Sequence, residues 1–211
     1  MTSDKHWDTY YGTNDRISAP LAPSQFAAFV LSEIQPPETQ LVDFGCGNGR
    51  DTLFFAHHGS KVIGVDASQV AIDSCAKRAN GAAEFLCTSV NAPDLRNVLA
   101  QKLDTSPARE TVLYARFFLH AITQDLQDTF LAVCRSVLQT GGKCFFEFRT
   151  ERDQFQTKIT PDHYRRFISP LAFFADARKA GFEVAYFVEG FGFAKYRQDD
   201  AHIARFILDA S

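Results

Sequence analysis

Residues 42–51 read Val-Asp-Phe-Gly-Cys-Gly-Asn-Gly-Arg-Asp, with three glycines at alternate positions behind Asp43, and the run Lys61-Val-Ile-Gly-Val-Asp66 ends on a second acid one helix length later. Glycines let backbone approach a ligand that a side chain would block, and an acid that closes the following strand accepts both hydroxyls of an unphosphorylated ribose. Strand, glycine turn, helix, strand and acid make a nucleoside-binding half-sheet. The expected chemistry is therefore that of a nucleoside cofactor.

The elements that must position these groups follow from short β-rich runs alternating with amphipathic helical stretches, the pattern of a doubly wound, mostly parallel α/β sheet. Pro23 to Glu33 is expected as an opening helix with Phe26, Phe29 and Val30 on one face, stopped by Pro36-Pro37. Strands are expected at Leu41 to Phe44, Lys61 to Val65, Glu84 to Cys87, Thr111 to Phe117 and Lys143 to Phe148. Helices are expected at Arg50 to His57, from a Ser68 cap to Ala79, within Asp94 to Lys102, and at Gln124 to Leu138 ahead of Gly141-Gly142. A further helix, Leu171 to Lys179, precedes two runs, Phe182 to Val188 and His202 to Leu208. The connection between those runs shows no helix, which favours an antiparallel pair at the end of the sheet.

With 211 residues, 45% hydrophobic content and net charge -3, the chain fits one domain over residues 1–211, with 1–35 as an N-terminal lid and helix. Twenty-one Phe against one Met and one Trp point to a core filled by benzyl groups. No Lys/Arg block supplies the positive face that nucleic acid needs, so no nucleic-acid partner is expected. The five cysteines, Cys46, Cys75, Cys87, Cys134 and Cys144, show no C-x-x-C pair, so neither a disulfide framework nor a metal site is suggested, and reduced thiols in a cytoplasmic protein are expected. No apolar run reaches membrane-spanning length, and no membrane partner is expected. The oligomeric state is open.

The segment Asp43-Phe-Gly45-Cys-Gly47-Asn-Gly49 matches the D/E-x-G-x-G-x-G turn, and the chain resembles the class I S-adenosylmethionine-dependent methyltransferases over essentially its whole length. The resemblance implies a Rossmann-like, seven-stranded, mostly parallel sheet with an antiparallel strand near the C-terminal edge, and S-adenosylmethionine as cofactor. It further implies that Asp43, Gly45, Cys46 and Gly47 hold the methionine part, and that Asp66 binds the ribose with Ala67 beside the adenine. Relatives place an acid after the third strand for the adenine amino group; here Ser89 stands there, with the Val90 amide as the other donor. Arg116, Phe117 and His120, after the fourth strand, are implied to line the reaction chamber. For His120 the alternative is a buried helix-start residue bonded to backbone. Trp7-Asp-Thr-Tyr10-Tyr11 resembles the family's lid, with a helix packed on the sheet edge as the alternative.

A sulfonium methyl donor carries its own activation, so the protein must align a nucleophile and exclude water. Trp7, Tyr10, Tyr11, Phe117 and Phe191 are candidates for cation–π contact with the sulfonium. The acceptor is expected to be a small, anionic molecule, a carboxylate, a phosphate or an acidic or phosphorylated sugar, because guanidinium forks gather after the fourth and fifth strands. Tyr11, Arg116, His120, Arg149, Arg152, Tyr164, Arg165 and Arg166 are its candidate contacts. If the acceptor must lose a proton, His120, Glu147 or His163 would serve, with Arg149 as the fourth candidate catalytic group. The competing reading makes these charges ion pairs, with Glu147 and an arginine shaping the pocket. Two other functions remain: a non-catalytic binding module, and a nicotinamide oxidoreductase, whose G-x-G-x-x-G turn is absent.

Overall fold

Thr39–Phe44 (β1) is buried along its whole length, its polar Thr39, Gln40 and Asp43 included, so it must lie inside a sheet covered on both faces. The computed structural model describes residues 8, 12, 22–106, 108–138, 141–156, 164–196 and 198–210. Trp7, Tyr10, Tyr11 and His163 lie outside the described residues, as does most of the segment expected to form a lid. The seven-stranded sheet has the order β3-β2-β1-β4-β5-β9-β6, and six α-helices are described. No helix among the described residues is long and apolar enough to cross a membrane. The chain divides into two compact units, residues 1–112 and 113–211.

In residues 1–112, β1 pairs in parallel with β2 (Lys61–Asp66), which pairs in parallel with β3 (Glu84–Cys87). Helix α1 (Gln25–Glu33) begins at Ser24, whose hydroxyl accepts from the Ala27 amide at 2.9 Å. The Ser24 amide and hydroxyl each donate to Asp51 at 2.8 Å, which fixes α1 to the first turn of α2 (Arg50–His57). Ser68 caps α3 (Gln69–Ala79) as the sequence suggests, and Asn80, left-handed at φ 45°, ends it. Helix α4 is Leu95–Lys102.

In residues 113–211, which β4 (Glu110–Arg116) enters, the elements are α5 (Gln124–Leu138), β5 (Lys143–Arg149), α6 (Pro170–Lys179), β6 (Glu183–Gly190) and β9 (Ile203–Asp209). Strand β9 runs antiparallel to both β5 and β6, with Glu147 opposite Arg205. The expected antiparallel end is there. The expectation missed a short ladder of β7 (Lys195–Tyr196) with β8 (Asp199–Asp200) in the β6–β9 connection, and three 3-10 turns. The benzyl core is built as expected: Phe173 of α6 meets Phe148 and Phe206 edge-on at 4.9 and 4.8 Å, and Phe130 tilts against Phe146 at 5.4 Å.

Candidate functional site

The glycine turn is built from backbone that other residues avoid. Gly45, Gly47 and Gly49 have φ of 70, 53 and 71°, the left-handed region where a Cβ is strained. The Gly45 and Cys46 amides donate to the Val65 carbonyl at 2.8 and 3.1 Å, and the Gly49 amide closes back on Cys46 O at 2.9 Å. Asp66 completes the turn. Its Oδ2 accepts from the Gly47 amide and its Oδ1 from the Ser68 amide, both at 2.9 Å. The groups singled out in the sequence as glycine turn and ribose acid are thus one hydrogen-bonded unit. Burial raises the Asp66 carboxyl above its usual range, and the amides of Ser68, Gly47 and Ala67 oppose that shift.

Asp43 lies under the turn, 3% exposed, and accepts from the Thr52 hydroxyl at 2.6 Å. Burial pushes its carboxyl from 3.8 up to about 8, against the Thr52 hydrogen bond, and the Asp51 and Asp66 charges add to the rise. A folded state that keeps a proton which the unfolded chain releases is stabilised at low pH. The contribution is complete below about pH 4 and is lost as pH rises toward 8. Asp43→Asn should keep the Thr52 bond and abolish this slope. Melting curves of the ligand-free proteins from pH 5.5 to 8.5 should diverge by up to about 1.4 kcal/mol per pH unit, and parallel curves would contradict the assignment.

Two partners of the turn escaped the sequence. Asp8 accepts from the Ser68 hydroxyl at 2.6 Å, which places one residue of the expected lid against the acid-bearing turn. Arg78 of α3 donates to Asn48 O, holding the turn from outside. Of the residues expected beside the adenine, Ala67 O accepts from the Cys87 thiol at 3.6 Å, Ser89 O accepts from the Ala92 amide at 3.0 Å, and Val90 is buried.

The groups near the ends of β4 and β5 form a buried ionic cluster. Glu147, fully buried, accepts from Arg116 Nε at 2.9 Å and from Arg205 Nε at 2.8 Å. Arg149, 6% exposed, donates to Asp153 at 2.7 Å and to Asp199 at 2.9 Å. Asp153 also accepts from the His202 amide, and Thr150 bonds the His202 ring at 2.7 Å. Three guanidiniums therefore meet three carboxylates. Burying such charges is tolerable only when each is paired in this way. The ion-pair reading describes Arg149 and Glu147, and their geometry is not that of an open anion clamp.

Phe117 sits at φ 56°, a left-handed value uncommon for a bulky residue, with its amide donating to Glu147 O at 2.8 Å. The Arg116 and Arg149 guanidiniums lie 4.1 and 5.1 Å from its ring centre. A ring that already faces two cations is a poor partner for a sulfonium, which corrects the cation–π expectation at Phe117. His120 is 4% exposed and its Nδ1 accepts from the Arg149 amide at 3.2 Å. The neutral ring then carries its proton on Nε2 while the Nδ1 lone pair is taken by that amide, so the general-base role expected for His120 does not fit this tautomer.

With this geometry in view, the methyltransferase-domain family matches residues 41–142. That stretch carries the glycine turn and the acid of β2, and its sheet order is the Rossmann-like one. No curated protein matches the sequence. Solved structures share the fold. A S-adenosylmethionine-dependent methyltransferase from Anabaena variabilis is 18% identical with a TM-score of 0.74 over 99% of this chain and 95% of its own. The magnesium protoporphyrin IX methyltransferase from Synechocystis, with S-adenosylhomocysteine bound, is 15% identical with a TM-score of 0.67 over 99% and 100%. A TehB-like methyltransferase from Corynebacterium glutamicum is 16% identical with a TM-score of 0.65 over 97% of each chain.

The matched stretch contains the turn, Asp66, Ser89, Arg116, Phe117 and His120; of the remaining expected acceptor residues, Tyr11 precedes it and Arg149, Arg152, Tyr164, Arg165 and Arg166 follow it. Arg166 bonds Gln124 and, at 2.6 Å, Gln127, and its amide donates to His120 O at 2.8 Å, so it anchors the start of α5. Burial lowers its guanidinium below the usual range. Arg152 is different. Its side chain is 68% exposed, and Glu189 lies 3.9 Å away. Tyr164 is exposed. Asp153, Asp199, His202 and Arg205 were missed, although charged residues inside otherwise apolar strands such as Ile203–Asp209 signal buried pairing.

Proposed function

We propose that the protein transfers the methyl group of S-adenosylmethionine to a small, anionic acceptor. The observation that carries the cofactor half is the pair of amides, Gly47 and Ser68, held on the Asp66 carboxylate. A carboxylate has about four acceptor sites; the Gly47, Ser68 and Ala67 amides draw on part of that capacity, and the rest is left for a ribose. Buried Asp43 supplies an anion suited to the ammonium of a methionine tail, and an ammonium near it favours its ionised form. The bound cofactor would supply an activated methyl, and the chain's own residues orient it.

The acceptor half rests on what the ionic cluster leaves for catalysis. Among the described residues, the His120 Nδ1 lone pair is taken by the Arg149 amide and Glu147 is closed between two guanidiniums. A nucleophile that is already ionised, such as a carboxylate or phosphate oxygen, needs no base. Arg152, 68% exposed and loosely paired with Glu189 at 3.9 Å, is an exposed cation suited to steer it.

S-adenosylhomocysteine at a hundred times its Kd should stabilise the protein by about 2.7 kcal/mol, a melting shift of roughly 5–10 °C, while NADH gives none. Labelled-methyl transfer should then appear with carboxylates and phosphates, and not with simple amines or alcohols. Stabilisation by NADH in place of S-adenosylhomocysteine would overturn the cofactor reading. Transfer confined to amines or alcohols would overturn the acceptor reading.

A further inference from the structure

Four of the five cysteines spread along the sequence come together in two pairs. Cys46 of the glycine turn and Cys75 of α3 are within hydrogen-bonding reach of each other, and so are Cys134 of α5 and Cys144 of β5. The first pair lies under the turn. The Cys75 thiol donates to Gly47 O at 3.3 Å, and Arg78 Nη2, which holds Asn48 O, lies 3.5 Å from the Cys75 sulfur. The glycines around the pair make room for sulfur: a Cβ at Gly49 would stand 2.8 Å from Cys75 Sγ, and one at Gly64 3.1 Å from Cys46 Sγ. The Cys46 hydrogen bond and then the Arg78 charge draw the Cys75 thiol down, while that same bond and burial push Cys46 up. Cys134, with no such cation, is pushed up by burial and by Cys144.

We propose that Cys46 and Cys75 are a redox-sensitive dithiol, oxidised by two-electron oxidants of the peroxide class to a disulfide that disables the cofactor turn. The Cys75 thiolate attacks one oxygen of hydrogen peroxide, the O–O bond breaks, and hydroxide leaves to take the proton that Cys75 released. The Cys46 sulfur then attacks the Cys75 sulfur, the S–O bond breaks, and the hydroxyl departs with the Cys46 proton as water. In sum, two thiols and one peroxide give one disulfide and two waters. Each sulfur loses one electron and the peroxide gains two.

The bond removes the proton that Cys75 gives to Gly47 O, and its length of about 2.0 Å draws the turn toward α3. Gly47 is also the residue whose amide Asp66 holds, so displacement there reaches both halves of the nucleoside site. Cys75 is wholly buried and Cys46 is 8% exposed, so oxidation proceeds through opening of the turn, and a ligand that holds the turn protects the pair. This rests on the cofactor reading above.

The test treats reduced protein with hydrogen peroxide, maps its peptides by mass, and titrates S-adenosylhomocysteine. A linked Cys46–Cys75 peptide pair, lighter by two hydrogens and released by dithiothreitol, is expected, with affinity at least about tenfold lower and slower linkage when ligand is already bound. Cys75→Ser and Cys75→Ala should each keep their own untreated affinity after peroxide. Absence of the linked peptides, linkage without loss of affinity, or an equal loss in both Cys75 variants would overturn the proposal. Untreated protein that fails to bind S-adenosylhomocysteine would overturn the cofactor reading instead, and the dithiol would then stand or fall on the linked peptides.

Discussion

Asp66→Ala should lower the affinity for S-adenosylhomocysteine by at least about a hundredfold. The carboxylate does two things at once: it offers lone pairs to ribose hydroxyls, and it holds the Gly47 and Ser68 amides at 2.9 Å. Hydrogen bonds to a charged group contribute roughly 1.5–3 kcal/mol each, so losing two to the ribose already accounts for the hundredfold. Release of the left-handed turn adds to it. Asp66→Asn should fare little better, because one of the two amides would then face the new NH2 group. Calorimetric Kd values on variants that still melt cooperatively check this. Unchanged affinity in Asp66→Ala would remove the residue from the ribose.

Glu147→Gln has the largest expected effect on stability. It leaves the Arg116 and Arg205 guanidiniums, 2.9 and 2.8 Å from a fully buried carboxylate, without their counter-charge. Breaking a buried pair costs about 3–5 kcal/mol, which for a chain of this size lowers the melting temperature by roughly 10 °C or more. Arg152→Ala serves as the control. Its side chain is 68% exposed and 3.9 Å from Glu189, an arrangement worth less than about 1 kcal/mol. Thermal melts should therefore separate the two variants widely, and similar small shifts in both would mean that Glu147 is not the hub of the cluster.

What could be read from the sequence was local or periodic. The glycine turn was legible because backbone at φ of 70, 53 and 71° requires the residue type that marks it, and Asp66 because a strand ends on it. Helices and strands followed from apolar spacing, down to the antiparallel end of the sheet. The partners of Glu147 and Arg149 were not legible, because Arg205 and Asp199 lie some fifty residues away: Arg205 meets Glu147 through the β5–β9 register, and Asp199 reaches Arg149 from the short strand β8 ahead of β9. The arginines therefore read as an open clamp when the fold closes two of them on acids. Phe117 illustrates a different limit: its left-handed backbone carries no residue-type mark, and the cations on its ring come from another strand as well as its own. The two-residue strands β7 and β8 have no periodicity to find.

Isothermal titration of the reduced, folded protein with S-adenosylhomocysteine tests the central claim most directly. The account predicts saturable heat with one ligand per chain, abolished or strongly weakened in Asp66→Ala. A folded wild-type protein that gives no binding heat at any accessible temperature would contradict it.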